Sequence, residues 1–267
     1  MSKKLLALDI DGTLTNTQKD ITPATLEKII EAQEKGHIVA IASGRPLPGI
    51  RKIADTIELD RYVLAFNGER IVDYSTGEVV YQAVLDNDVV RDIYDYCLKA
   101  GCGMVTYDGD RVITGTDIDG YMTFEASINH MEIMRIDNFR EYIDFPLNKC
   151  LLTADPDKAE KIEQELAEKF GDQLNIFRSE PYFVEIMPPN VHKATSLEKL
   201  LEVLDMDRKD LVACGDGYND LTMIEYAGVG VAMANAQDIV KEHADYITLS
   251  NDEDGLVPVV DKFILAD

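Results

Sequence analysis

Four short apolar runs punctuate the chain, and each stops at a polar residue or a glycine that leads into one. Leu5-Leu6-Ala7-Leu8 stops at Asp9, Ile38-Val39-Ala40-Ile41-Ala42 at Ser43, Tyr62-Val63-Leu64-Ala65-Phe66 at Asn67, and Leu211-Val212-Ala213-Cys214 at Gly215-Asp216. Apolarity without alternation predicts strands covered on both faces, as in a parallel sheet. Val229 to Met233 and Tyr246 to Leu249 are two weaker strands of the same kind. Between the first two runs, Thr22 suits an N-cap, Pro23 the first helical position and Gly36 the position past the end, with Leu26, Ile29 and Ile30 along one face. Ala194, Leu197, Leu200, Leu201 and Leu204 repeat the helical spacing before the Leu211 run, and Leu221 to Tyr226 gives a short helix after it. Strands alternating with helices predict an α/β protein with a doubly wound parallel sheet.

The alternation breaks between about Ala83 and Pro189. Helical patterns at Asp88 to Ala100 and Pro156 to Phe170 stand among β-rich segments at Met104 to Tyr107, Arg111 to Thr114, Lys149 to Thr153, Leu174 to Arg178 and Tyr182 to Met187. This predicts an inserted α+β domain over 83–188, entered after a strand at Tyr81 and left at Pro188-Pro189, which cannot continue a sheet. Residues 1–82 and 189–267 then form the sheet domain from both ends of the chain. Tyr121, Met122 and Phe124 are assigned to the core of the insertion, and the acidic stretch Asn251 to Asp254 to a solvated turn.

Composition narrows the function. A chain of 267 residues with 46% hydrophobic side chains has material for two cores. A formal net charge of -24 repels nucleic acid and anionic membrane, so any bound phosphate must be held by local positive charge. Cys97, Cys102, Cys150 and Cys214 form no CxxC pair, which points to reduced structural thiols. The apolar run before Asp9 is too short for a signal-peptide core or a membrane span, and a cytoplasmic location is expected.

Ligands of open parallel sheets bind beyond the carboxyl ends of the strands, where Asp9, Asp11, Ser43, Asn67 and Asp216 fall. In an extended chain Asp9 and Asp11 face the same side while Ile10 faces away. Two carboxylates so close require a proton or a cation between them. Gly215-Asp216-Gly217-Tyr218-Asn219-Asp220 adds oxygen ligands of the type Mg2+ prefers. Lys193 stands at the start of a predicted helix, where the macrodipole disfavours a cation unless an anion accompanies it. Ser43-Gly44-Arg45 combines a hydroxyl, a flexible amide and a guanidinium at a strand end, a set suited to phosphate oxygens.

Four segments in order, Asp9-Ile10-Asp11-Gly12-Thr13, Ser43-Gly44-Arg45, Lys193 and Gly215-Asp216-Gly217-Tyr218-Asn219-Asp220, resemble the motifs of the haloacid dehalogenase superfamily of phosphohydrolases, and most closely its Cof-type branch. The resemblance implies a Rossmann-like core with an α+β cap that acts as a lid. It implies that Asp9 is the nucleophile and Asp11 the acid and then the base. It also implies Mg2+ held by the Asp9 carboxylate, the Asp11 carbonyl and Asp216, with Asp220 supporting the metal shell and Lys193. Phosphate oxygens would meet the Ile10 amide, Ser43, Gly44, Lys193 and Asn219, with Arg45 divided between substrate and a surface ion pair. Asn190-Val191-His192-Lys193-Ala194 departs from the family in lacking glycines around the lysine, and Glu69 in carrying a charge.

The expected partner is a small phosphorylated metabolite, a sugar phosphate or phosphorylated cofactor, with no nucleic acid and no membrane, and the chain acting as a monomer or homodimer. Two rival functions are a phosphomutase or phosphotransferase with the same chemistry, and a non-catalytic phosphometabolite sensor. His37, His130, His192 and His243 have no metal-ligand spacing and are assigned to packing or the surface. Asn67-Gly68 on its own reads as a turn.

Overall fold

The computed structural model describes residues 3–266. Two compact units divide the chain: the first holds residues up to Gly44, Ile50–Tyr81 and His192 onward, the second Arg45–Gly49 and Gln82–Val191. In chain order the first stretch contains β1 (Leu5–Leu8), α1 (Pro23–Glu34), β2 (Ile38–Ala42), α2 (Leu47–Thr56), β3 (Tyr62–Ala65), β4 (Arg70–Asp73) and β5 (Val79–Gln82). The insertion contains α3 (Asn87–Ala100), β6 (Gly103–Asp108), β7 (Arg111–Thr114), α4 (Gly120–Ile128), β8 (Glu132–Arg135), α5 (Phe139–Tyr142), β9 (Cys150–Thr153), α6 (Pro156–Phe170), β10 (Asn175–Glu180) and β11 (Phe183–Met187). The chain then continues through α7 (Lys193–Leu204), β12 (Leu211–Gly215), α8 (Leu221–Tyr226), β13 (Val229–Ala232), α9 (Asp238–His243), β14 (Tyr246–Ile247) and α10 (Leu256–Val259).

The first unit is an α/β fold on a sheet of order β14-β13-β12-β1-β2-β3-β4-β5. β1 pairs in parallel with β12 and β2, with Leu8 opposite both Cys214 and Ile41. The carboxyl ends of three adjacent strands therefore lie at one edge, and Asp9, Ser43 and Asp216 follow them. Every residue of β1, β2, β3 and β12 is buried, which is why these strands lack alternation. On one face Leu5, Ala40 and Ala213 pack against Leu197, Leu200, Leu201 and Ile224 of α7 and α8. In α1, Thr22 Oγ1 accepts from the Thr25 amide, Pro23 opens the helix, and Gly36 at φ +84° follows its end. Its buried stripe is Thr25, Ile29 and Ala32, with Leu26 and Ile30 only half-buried beside it. The expected face was thus displaced, because small and polar residues can occupy the closest approach to the sheet.

The second unit has a sheet of order β10-β11-β9-β6-β7-β8. Its neighbours are antiparallel except β7 and β8. Val90, Ile93, Cys97, Ile162 and Leu166 of α3 and α6 cover one face, against Met104, Ile113, Leu152, Val184 and Ile186. Met122 and Ala126 of α4 cover part of the other, against Val105, Val112, Leu151 and Phe183. Of the three residues assigned to this core, Met122 is buried and Tyr121 half-buried, but Phe124 is 47% exposed. Phe124 lies two residues beyond Met122 on α4, which turns it away from the sheet. The sequence pattern does not predict α2, α4, α5, α9, α10, β4 or β8, since Pro48 and Gly49 obscure the first and the others are short or lack a clean period. The four cysteines are buried and form no disulfide.

Candidate active site

Asp9 follows β1 at the centre of the sheet and is only 7% exposed, its amide donating to Cys214 O at 3.1 Å. Lys193 opens α7 with no exposed surface. The N-cap His192 accepts from the Thr195 amide through Nδ1 at 3.3 Å and fixes the start of that helix. Lys193 Nζ donates to Asp9 Oδ1 and to Asp220 Oδ1, each at 2.6 Å. Asp220 Oδ2 in turn accepts from the amides of Asp216 and Gly217, both at 2.9 Å, so both of its oxygens are committed. Asp216 lies across from Gly12, whose φ is +81° and where a Cβ would come within 2.4 Å of Asp216 Oδ2. Only glycine satisfies both the backbone and the approach. Thr13 Oγ1 donates to Asp216 Oδ1 at 3.1 Å. Asn235 Nδ2 donates to Gly12 O at 2.8 Å and reaches Asp216 Oδ2 at 3.5 Å.

One carboxylate oxygen from each of Asp9, Asp216 and Asp220 lies within 4.8 Å of the other two. A single ammonium does not balance three carboxylates. Burial, then the Asp220 charge, pushes Asp9 up to about 7 despite Lys193, and the same two causes push Asp216 up to about 6. Burial works against the charge on Lys193, but Asp220 and Asp9 more than offset it and hold the lysine protonated. The cluster therefore has excess negative charge, and its donors are all oxygen, a combination that fits a hard divalent cation. Asp9 and Asp216 are the carboxylates with capacity left for it.

Of the other expected site residues, Asp11 does not share the Lys193 contact. It is half-exposed and pairs with Lys19 Nζ at 2.8 Å, reached from a loop in which Lys19 takes φ +66° and Asn16 Oδ1 binds the amides of Gln18 and Asp20. Ile10 is fully buried, and its carbonyl accepts from the amide and hydroxyl of Thr15 at 2.9 Å. Ser43 is 2% exposed, with its amide on Leu64 O and its carbonyl on the Asn67 amide. Gly44 borders the Asn67 side chain, and Asn219 Nδ2 donates to Asn67 Oδ1 at 3.1 Å. Arg45 groups with the second unit, where its Nη1 donates to Gly49 O at 3.2 Å. Sequence reasoning missed Lys19 and Asn235 as neighbours of these groups, and neither carried a signal; it placed Asn67 at the edge of the sheet by its position at the end of an apolar run, but read Asn67-Gly68 on its own as a turn.

The model of the haloacid dehalogenase-like hydrolases matches residues 6–260. The chain belongs to that family. It is 32% identical over 262 residues to the 5-amino-6-(5-phospho-D-ribitylamino)uracil phosphatase YcsE of Bacillus subtilis, covering 98% of this chain and 96% of the relative. The crystal structure of a haloacid dehalogenase-like hydrolase from Bacteroides thetaiotaomicron superposes with a TM-score of 0.91 at 42% identity, covering 98% of this chain and 99% of the other. The fold is also that of BT4131, a subclass IIB sugar phosphatase, with a TM-score of 0.79 at 23% identity over 98% of this chain and 99% of that one. This member of the haloacid dehalogenase-like family is an enzyme, a hydrolase of the phosphatase type.

Proposed function

We propose that this phosphatase is magnesium-dependent and hydrolyses small organic phosphates, sugar phosphates or phosphorylated cofactors and their precursors, through an aspartyl-phosphate on Asp9. The observation that carries this is the buried Lys193 ammonium, 2.6 Å from both Asp9 and Asp220 at the carboxyl edge of the sheet, with Asp216 beside them. Asp9 is the nucleophile: its carboxylate attacks phosphorus, and Lys193 offsets the charge that would otherwise oppose that approach. Bound Mg2+, held by the carboxylates of Asp9 and Asp216 and the Asp11 carbonyl, supplies the remaining positive charge for the transferring group. Asp220 positions Lys193 and the Asp216 amide. Asp11 as the carboxylic acid protonates the leaving oxygen, and as the carboxylate it then takes a proton from the water that attacks phosphorus and releases the Asp9 carboxylate; its half-exposed position away from Lys193 leaves it open to both. The Ile10 amide, Ser43, Gly44, Lys193 and Asn219 bind phosphate oxygens, with Arg45 as a substrate contact.

Residues 83–188 serve as the cap and 1–82 with 189–267 as the core. The relatives named for 5-amino-6-(5-phospho-D-ribitylamino)uracil favour a phosphorylated polyol or sugar as substrate, with its alcohol as the leaving group. No described helix is long and apolar enough to cross a membrane. In this reading the enzyme acts in the cytoplasm on small phosphorylated metabolites, as a monomer or homodimer. Phosphate release from p-nitrophenyl phosphate and a sugar-phosphate panel, with Mg2+ or chelator, tests the proposal. Magnesium-dependent release that Asp9→Asn abolishes is expected. Transfer of phosphate to a second sugar with no free phosphate would instead establish a phosphotransferase.

A further inference from the structure

We infer that Asn67 is a positioning residue for the phosphate-binding side of the site, holding Asn219 and the Gly44 segment together. This rests on the phosphatase reading, in which Asn219 and Gly44 meet phosphate oxygens. Phe66, Asn67 and Gly68 take φ values of 53°, 54° and 98° in succession. Two consecutive non-glycine residues in the left-handed region, one of them aromatic, are costly unless the surroundings impose them. Here the surroundings do. The Asn67 amide donates to Ser43 O at 2.9 Å, the Glu69 amide to Phe66 O at 3.2 Å, and Ser196 Oγ to Gly68 O at 2.5 Å.

A turn between β3 and β4 accounts for asparagine in this conformation but not for where its side chain goes. Asn67 Oδ1 accepts from Asn219 Nδ2 across 152 residues of sequence. The same carboxamide closes on Gly44, where a Cβ would lie 3.2 Å from Oδ1 and 3.3 Å from Nδ2. One side chain therefore links the segment after β2 to the one after β12. Among the described residues Asn219 Nδ2 then loses its orienting acceptor, and the space beside Gly44 is open.

The test compares wild type, Asn67→Gly, Asn67→Asp, Asn219→Ala and the Asn67→Gly/Asn219→Ala double variant in saturating Mg2+. It reads KM and kcat for p-nitrophenyl phosphate, Ki for inorganic phosphate, and the melting temperature. Glycine tolerates the left-handed backbone, so Asn67→Gly should melt no lower than wild type. Its KM and Ki should rise roughly fivefold or more while kcat falls less than about threefold. Asn67→Asp keeps the shape and acceptor but adds charge, and should raise Ki by about tenfold or more. The double variant should be no worse than Asn219→Ala, because the two residues act as one unit. Ki within about twofold of wild type in both Asn67 variants, or additive losses in the double variant, would overturn the inference. Wild type that neither hydrolyses the ester nor binds phosphate would remove the phosphatase reading, and the inference with it.

Discussion

The two units bury lysine in opposite ways. In the first, Lys193 lies between two carboxylates at the edge of a parallel sheet, with a third carboxylate beside them. In the second, Lys149 Nζ lies 3.1 Å from Glu185 Oε2 on neighbouring strands β9 and β11, the lysine immediately preceding β9, and over the Tyr107 ring at 5.7 Å. A buried lysine set against a carboxylate of a neighbouring strand is the arrangement of a folded sheet that has to place a charge. Carboxylates in excess of the cation cost stability and are retained where a further cation is to be bound. The parallel sheet makes this arrangement possible because its strands run the same way and deliver their following residues to one edge, whereas an antiparallel sheet divides them between two.

Removing the nucleophile should have the largest effect. Asp9→Asn is expected to lower phosphate release by roughly a thousandfold or more. The same change should raise the melting temperature of the metal-free protein at pH 8, because it removes a charge that burial disfavours; a lower melting temperature would contradict the assigned excess of charge. Lys193→Met should follow, destabilising the metal-free chain by about 3–5 kcal/mol in urea unfolding, since it leaves buried carboxylates unpaired. Unchanged stability would show that the lysine is not what holds them together. Glu185→Gln in the second unit should cost about 2 kcal/mol and leave Mg2+ affinity, read by calorimetry, within roughly twofold of wild type. A large loss of Mg2+ binding there would dissolve the contrast between the two lysines.

The pH dependence follows from the raised carboxyls. Asp9 and Asp216 bind protons more tightly in the folded chain than in the unfolded one, so their contribution to metal-free stability falls as pH rises from about 4 through about 7. Mg2+ binds the ionised carboxylates and relieves this penalty. Its effect on melting temperature should therefore be larger at pH 8 than at pH 5, and an equal or smaller effect at pH 8 would refute it. Lys19→Ala should be the mildest change, leaving the melting temperature unaltered because its pair with Asp11 is solvated, and lowering turnover less than about tenfold.

The unbroken apolar runs at Leu5, Ile38, Tyr62 and Leu211 determined a sheet covered on both faces, because no alternating pattern could have left one face wet. The same runs pointed to Asp9, Ser43, Asn67 and Asp216 simply by ending there, and Lys193 was legible as a cation in an unfavourable place on its helix. The sequence was silent where tertiary neighbours do the work. It could not show that Asp11 leans on Lys19 while Asp9 leans on Lys193, because an extended-chain argument sees only that both carboxylates face one way. Nor could it show that Asn67 meets Asn219, or that Asn235 reaches Gly12 and Asp216. Those hydrogen bonds join segments up to 223 residues apart, and only the parallel register of β13, β12, β1, β2 and β3 brings them to one edge.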